Sequence, residues 1–266
     1  MPIPSSCRSL LRWLENVSGA LTSVLFPAGC RLCDQILTDA RRLPLCDNCL
    51  SSFQKIPPGS CDLCGQPCTF DPEFPKAVSF CPDCQQHRFA FQVARSYGFY
   101  EGTLARAIVL LKHEQIEPLG TWFARRLTEL VQKEAERLAA DVIVPVPLHR
   151  QRSRERGFNQ VDLFGRPLAR RLRLPYRPVL LMRSRPRPEK HLLRSDERWD
   201  AVRGAFAIRK GGRVDNLRIL LLDDVMTTGA TLDACSRALR EAGAESVLGL
   251  TIARAGRPLS SFAERL

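Results

Sequence analysis

The chain has no apolar run long enough to cross a membrane as a helix, which takes about 20 consecutive residues. Aromatic residues are scarce, at 7% of the sequence, and few of them fall among the arginines. Unpaired bases stack on aromatic faces, so an evident stacking platform for single-stranded nucleic acid is missing. Acidic residues are also in deficit: 28 Asp and Glu stand against 40 Lys and Arg, for a formal net charge of +12. That balance favours anionic partners such as phosphates, nucleotides or nucleic acid. A length of 266 residues with 44% hydrophobic content is enough for one main domain and a smaller one.

Cysteine is in excess, with eleven in all. Eight of them form the pairs "CRLC", "CDNC", "CDLC" and "CPDC". No βαβ pattern surrounds these pairs, which argues against a thioredoxin-like redox role. C-x-x-C spacing points to metal ligation in a reducing compartment rather than to disulfides. Each such turn presents two thiolates and tetrahedral zinc takes four. Cys30, Cys33, Cys46, Cys49, Cys61, Cys64, Cys81 and Cys84 are therefore predicted to hold two structural zinc ions. Gly65, directly after Cys64, suits a turn whose backbone N–H groups face the sulfurs. The count leaves the pairing open: sequential, nested and interleaved arrangements all satisfy it, and Cys68 is a further thiol close to Cys64. Cys235 shares an apolar helical face with Leu232, Leu239 and Ala242 and reads as a core residue rather than a nucleophile.

The stretch "LTSVLFPAGC" has a faint look of a lipoprotein signal, but Glu15, Asn16 and Thr22 interrupt its apolar core and Pro27 stands where an aliphatic residue is expected. Residues 8 to 26 read instead as an amphipathic helix, and the protein as cytoplasmic. The expected organisation is an N-terminal helical segment at 1–29, a double zinc-ribbon module at 30–88 and an α/β domain at 89–266. Within the last, "FAFQVARSYGFY" reads as a strand pair or a bent strand, and "DVIVPVP", "RPVLLMR", "RILLLDDV" and "SVLGLTIAR" read as strands. Helical periodicity marks "GTLARAIVLLKHEQI", "PLGTWFARRLTELVQKEAERLAA", the region of "NQVDLFGRPLARRL" and a segment from about Gly229 to Ala242. Such alternation implies a parallel sheet with helices on both faces, and ligands gather at the carboxyl ends of its strands.

Two loops at those ends carry chemistry. In "ILLLDDVMTTGATL", Asp223 and Asp224 crown an apolar strand, where bare carboxylates are too costly to bury without hydroxyl donors, a metal or cations. Thr227, Thr228, Gly229, Ala230 and Thr231 follow at a helix N-terminus, the natural cradle for a phosphate monoester. A ligand with vicinal hydroxyls and a phosphate a few bonds away satisfies both, and ribose 5-phosphate is such a ligand. The second loop, Pro145 to Gln160, sets Arg150, Arg152, Arg154 and Arg156 beyond a strand end, where a pyrophosphate on ribose carbon 1 would bind with magnesium.

The Asp-Asp and Thr-Thr-Gly stretch resembles the phosphoribosyl pyrophosphate (PRPP) motif of type I phosphoribosyltransferases. "FPAGCRLC", the later cysteine pairs, "LKHE", "VPVPLHRQRSRERGFNQ", "ERWDAVRGAF" and "ILLLDDVMTTGATL" together resemble the ComF family, which includes ComFC and GntX-like proteins. The resemblance covers nearly the whole chain and implies a zinc-ribbon module preceding a type I phosphoribosyltransferase-like fold. It also implies PRPP and Mg2+ as ligands, transfer of phosphoribosyl to an acceptor, and a link to DNA uptake or processing in some members. Carried over by position, Asp223 and Asp224 hold the ribose hydroxyls and Thr227 to Thr231 the 5-phosphate. Pro145, Val146, Pro147 and Leu148 approach the pyrophosphate, with Arg150 and Arg156 nearby, and Lys112 faces the site. Asp223, Asp224 and Arg156 are the catalytic candidates, and Arg194 and Arg198 are candidates for clamping the leaving group. Ala230 replaces a usual Ser, while Lys190 and Ala201 replace a usual Gln and Asn. A second function fits the same residues: a non-catalytic, PRPP-sensing adaptor that binds single-stranded DNA. The oligomeric state is left open.

Overall fold

The computed structural model describes residues 29–37, 42–67, 80–86, 89–148, 157–185 and 199–256. The helix expected at 8–26, Cys68, Lys190, the arginines at 150, 152, 154 and 156, and Arg194 and Arg198 lie outside the described residues. The chain divides into two compact units between Phe53 and Gln54, so the second four-cysteine group belongs to the same unit as the parallel sheet.

In the first unit, Gly29 and Ile36 form an antiparallel bridge around the first cysteine turn, and helix α1 (Asp47–Ser51) carries the second, with Cys46 as its N-cap and Cys49 inside it. Among its described residues, Leu32, Leu37, Leu45 and Phe53 are buried, as are Cys30 and Cys49.

The second unit contains α2 (Pro82–Gln86), β1 (Val93–Phe99), α3 (Gly102–Glu114), α4 (Glu117–Lys133), β2 (Val142–Pro145) and α5 (Gln160–Leu172). It continues with β3 (Leu181–Arg183), β4 (Phe206–Ile208), β5 (Arg218–Met226), α6 (Ala230–Glu241) and β6 (Ser246–Arg254). Strands β1, β6, β5 and β2 lie side by side in that order, all parallel. In β5, Ile219, Leu220, Leu221 and Leu222 are all fully buried. Successive strand side chains point to opposite faces, so both faces of the sheet are covered. The expected parallel sheet flanked by helices is present. Gly120 lets α4 approach α5 closely, since a Cβ there would stand 2.5 Å from the Leu163 carbonyl.

Three segments differ in extent from the periodicity. "FAFQVARSYGFY" yields the single strand β1. Helix α4 stops at Lys133, where Glu134 turns to pair with Arg95 at 2.6 Å and its carbonyl accepts from Leu138 N. "RPVLLMR" contributes only β3, which pairs antiparallel with β4 in a separate two-stranded sheet rather than joining the parallel one. No helix among the described residues is long and apolar enough to cross a membrane.

Leu221→Ala, at the centre of β5, is expected to destabilise the protein by about 2–5 kcal/mol through lost burial and a residual cavity. Urea unfolding followed by circular dichroism measures it.

Candidate functional site

The cysteines fall into two groups, Cys30–Cys33–Cys46–Cys49 and Cys61–Cys64–Cys81–Cys84, with all sulfurs of a group within 4.8 Å of one another. The pairing left open by the sequence is thus sequential. Four sulfurs about 2.3 Å from a central zinc define a tetrahedron with edges of about 3.8 Å. Cys30 Sγ lies 3.8 Å from Cys49 Sγ, Cys33 Sγ 3.6 Å from Cys46 Sγ, and Cys64 Sγ 3.6 Å from Cys81 Sγ. A disulfide needs about 2.05 Å, so the geometry fits metal ligation. Burial opposes ionisation of Cys30, but N–H groups of Cys46, Leu32 and Cys33 outweigh it and bring the thiol down to about 6. Hydrogen bonds from the Cys64, Cys81 and Cys84 thiols hold Cys61 far below the ordinary thiol range. Burial and close neighbouring thiols push Cys49 up, close neighbouring thiols push Cys64 and Cys84 up, and zinc binds such cysteines as thiolates. Cys235 is fully buried, and burial pushes its thiol well up, as befits a core residue.

Outside the cysteine groups, a cleft of about 300 Å³ opens at the carboxyl ends of β2 and β5. Asp224 on its floor is only 4% exposed, and two side chains compensate its charge. Lys112 Nζ, from the last turn of α3, lies 3.1 Å from Asp224 Oδ2, and Gln160 Nε2, from the first turn of α5, donates to the same oxygen at 2.7 Å. Asp223 is half-buried, and its Oδ1 accepts from Asp224 N at 2.8 Å. Gln160 is aimed by the cap of α5: Asn159 Oδ1 accepts from Val161 N at 3.2 Å while its Nδ2 donates to Val146 O at 3.1 Å.

One wall is the loop from Thr227 into α6. Gly229 has a φ of +83°, a conformation that favours glycine, and it turns the chain so that the helix starts at Ala230. The first amides of a helix have no partner within it, so those of Ala230 and Thr231 are donors suited to an anion. Thr228 Oγ1 caps Ala230 N loosely at 3.4 Å. A second wall is Val146, Pro147 and Leu148. Val146 N already donates to Leu222 O at 2.7 Å and proline has no N–H, so Leu148 carries the amide of these three that can turn to a ligand.

Of the residues predicted for this site, Lys112, Val146, Pro147, Leu148, Asp223, Asp224, Thr227, Gly229 and Thr231 line the cleft. Pro145 is buried as the last residue of β2, while Thr228 in the loop and Ala230, the first residue of α6, do not line the cleft. Arg150 and Arg156 fall outside the described residues. Four polar lining residues were not singled out for the site in the sequence: Tyr100, His113, Gln160 and Arg183. Arg183 is 7% exposed, ends β3, and lies 5.0 Å over the Phe206 ring. The available signals were the arginine closing an apolar strand and the Gln after an Asn cap.

This fold and cleft define a double zinc ribbon joined to a phosphoribosyltransferase-type domain, and the family models agree. A double zinc ribbon domain matches residues 21–85, and a phosphoribosyl transferase domain matches residues 163–258. Competence protein F of Haemophilus influenzae is 28% identical over 219 residues, covering 79% of this chain and 90% of that protein. Competence protein ComFC of Bacillus subtilis is 27% identical over 221 residues, covering 79% and 84%. DNA utilization protein YhgH of Salmonella typhimurium is 30% identical over 190 residues, covering 70% and 80%. The chain belongs to the ComF family, with these competence and DNA utilization proteins as relatives. Among solved structures, glutamine PRPP amidotransferase from Bacillus subtilis aligns at 22% identity and a TM-score of 0.34, over 50% of this chain and 26% of that one. Adenine phosphoribosyltransferase from Leishmania tarentolae aligns at 18% identity and a TM-score of 0.31, over 48% and 69%. This chain thus spans about a quarter of the amidotransferase.

The two four-cysteine sites of a double zinc ribbon support structural zinc at each. Full-length protein is expected to hold close to two zinc ions, and Cys81→Ser close to one, by elemental analysis of the purified chains.

Proposed function

We propose that the chain binds PRPP with Mg2+ and transfers its phosphoribosyl group to an acceptor, in the service of DNA uptake or processing in the cytoplasm. The observation that carries this reading is one cleft lined both by the Asp223–Asp224 strand tip and by the Thr227–Thr231 loop at the start of α6. The carboxylates suit the ribose 2- and 3-hydroxyls, and the loop amides suit the 5-phosphate. Asp223, the less buried of the two, is the carboxylate that would meet the diol and a hydrated Mg2+. Bound Mg2+ would supply charge neutralisation for the departing pyrophosphate. Asp224 keeps Lys112 and Gln160 in register beneath the sugar, and Leu148 N and the Arg183 guanidinium are donors on the walls for the leaving group. As carbon 1 loses pyrophosphate it gains positive charge, which Asp223 and Asp224 stabilise across a short distance. The names of the competence and DNA utilization relatives support the link to DNA.

Isothermal titration with PRPP and Mg2+ tests the reading. Asp223→Asn/Asp224→Asn is expected to lose about a hundredfold or more in affinity, because two charge-assisted contacts to the diol disappear. Equal binding by both proteins would sink it.

A second reading is favoured by the net charge of +12: a PRPP-sensing adaptor that binds single-stranded DNA without turnover. On that reading no pyrophosphate is released with any acceptor, while fluorescence anisotropy shows DNA binding that weakens steeply with salt. Absence of an anisotropy change at low salt excludes the adaptor.

A further inference from the structure

Strand β6 ends in Arg254, a residue 4% exposed that does not line the cleft. Its Nε donates to Gln66 Oε1 at 2.6 Å, and its Nη1 donates both to the Cys64 carbonyl and to the Met226 sulfur, each at 3.1 Å. Two of these partners belong to the first turn of the second cysteine group. Cys64 is one of its four sulfurs, and the Gln66 carbonyl closes the turn by accepting from Cys61 N at 2.7 Å. Two residues past Arg254, Gly256 lies so close against the Gln66 amide that a side chain there would overlap it.

The third partner lies on the other side of the guanidinium. Met226 is the last residue of β5, buried, with its carbonyl accepting from Ala255 N at 2.8 Å. Its terminal methyl would stand 2.9 Å from a Cβ at Gly229, the positive-φ residue that aims the loop amides into the cleft. A buried guanidinium must keep its hydrogen bonds, and its planar fork dictates where their acceptors stand. The first turn of this group packs in an apolar cluster and Leu63 O accepts from Ala94 N, but its four sulfurs form no disulfide and are drawn together by metal. Loss of that metal would loosen the Cys64 and Gln66 acceptors, and with them the Arg254 contact to the Met226 sulfur.

We infer that Arg254 is a positioning residue that couples the Cys61–Cys64–Cys81–Cys84 site to the Met226–Gly229 turn, so that the anion-binding loop holds its shape only while that site carries metal. The inference rests on the reading of the loop as a phosphate-ester site. The physical link itself can be judged without that reading. The chain has only three methionines, Met1, Met182 and Met226, so labelling the methionine methyls with ¹³C gives a Met226 NMR signal, assigned against Met182→Leu.

In the zinc-loaded protein, Arg254→Leu is expected to shift the Met226 signal and to weaken ribose 5-phosphate binding about tenfold in titration calorimetry, with zinc content unchanged. Arg254→Lys keeps the charge without the fork and gives an intermediate shift and affinity, which also serves should the Leu variant fold poorly. Removing zinc with a chelator shifts the signal in the native chain and adds nothing in Arg254→Leu. An unmoved Met226 signal, or a moved signal with unchanged affinity, overturns the coupling. Should the native chain bind neither ribose 5-phosphate nor PRPP, the reading of the cleft falls, and the chelator response of Met226 still decides whether the link exists.

Discussion

The burial of one carboxylate organises the second unit. Asp224 sits at the carboxyl end of the central strand β5 with 4% exposure, and such a charge is tolerable only with partners. Its partners come from two helices that are distant in sequence, Lys112 at the end of α3 and Gln160 at the start of α5. These contacts fix where α3 ends and where α5 begins relative to β5. They also define the floor of the cleft, because the same oxygen, Oδ2, receives both. The Asn159 cap extends the set to Val146, so the loop after β2 is held by the same network. Removing either partner would leave the carboxylate undercompensated in a low-dielectric setting.

The two cysteine groups share a ligand set but not an environment. In the first, Cys33 is exposed and Cys46 half-buried, with Leu32, Leu37, Leu45 and Phe53 the buried apolar side chains besides cysteine among its described residues. In the second, Cys61, Cys64 and Cys81 are buried and join an apolar cluster with Phe91, Ala94 and Val144. Leu63 O accepts from Ala94 N at 2.7 Å, so the second turn is bonded directly to β1. A metal there braces the sheet as well as its own ribbon, whereas a metal in the first group joins segments that share few other buried apolar side chains among the described residues.

Much of this was legible in the sequence because the signals were local. "RILLLDDV", Gly229 and the period of α6 describe a strand, turn and helix that need no information from elsewhere, and the structure places them as β5 and α6. The C-x-x-C turns were equally local, but their pairing was not: Cys33 meets Cys46 and Cys64 meets Cys81 only once the intervening chain folds. "RPVLLMR" misled because an apolar run states that a strand is buried and not which strand it joins. Gln160, Arg183 and Arg254 were passed over for the same reason. A glutamine after a helix cap and an arginine ending an apolar strand are ordinary in sequence, and they become specific only beside Asp224, Phe206 and Cys64.

The charges lining the cleft limit what binds there. Lys112 and Arg183 face Asp223 and Asp224, so among the described residues the ionised side chains of the lining balance. On the proposed reading, a highly charged ester such as PRPP would gain little long-range attraction from these described side chains. From them its binding would come as short-range terms: loop amides at the 5-phosphate, carboxylates at the diol, and a divalent cation that lowers the ligand's own charge. Such terms are directional, and they fail if the loop is displaced by a fraction of a hydrogen-bond length. On that reading, affinity would depend on how rigidly the loop is held. The weight would then fall on Gly229, on the Met226 side chain packed against it, and on whatever orders Met226 from behind.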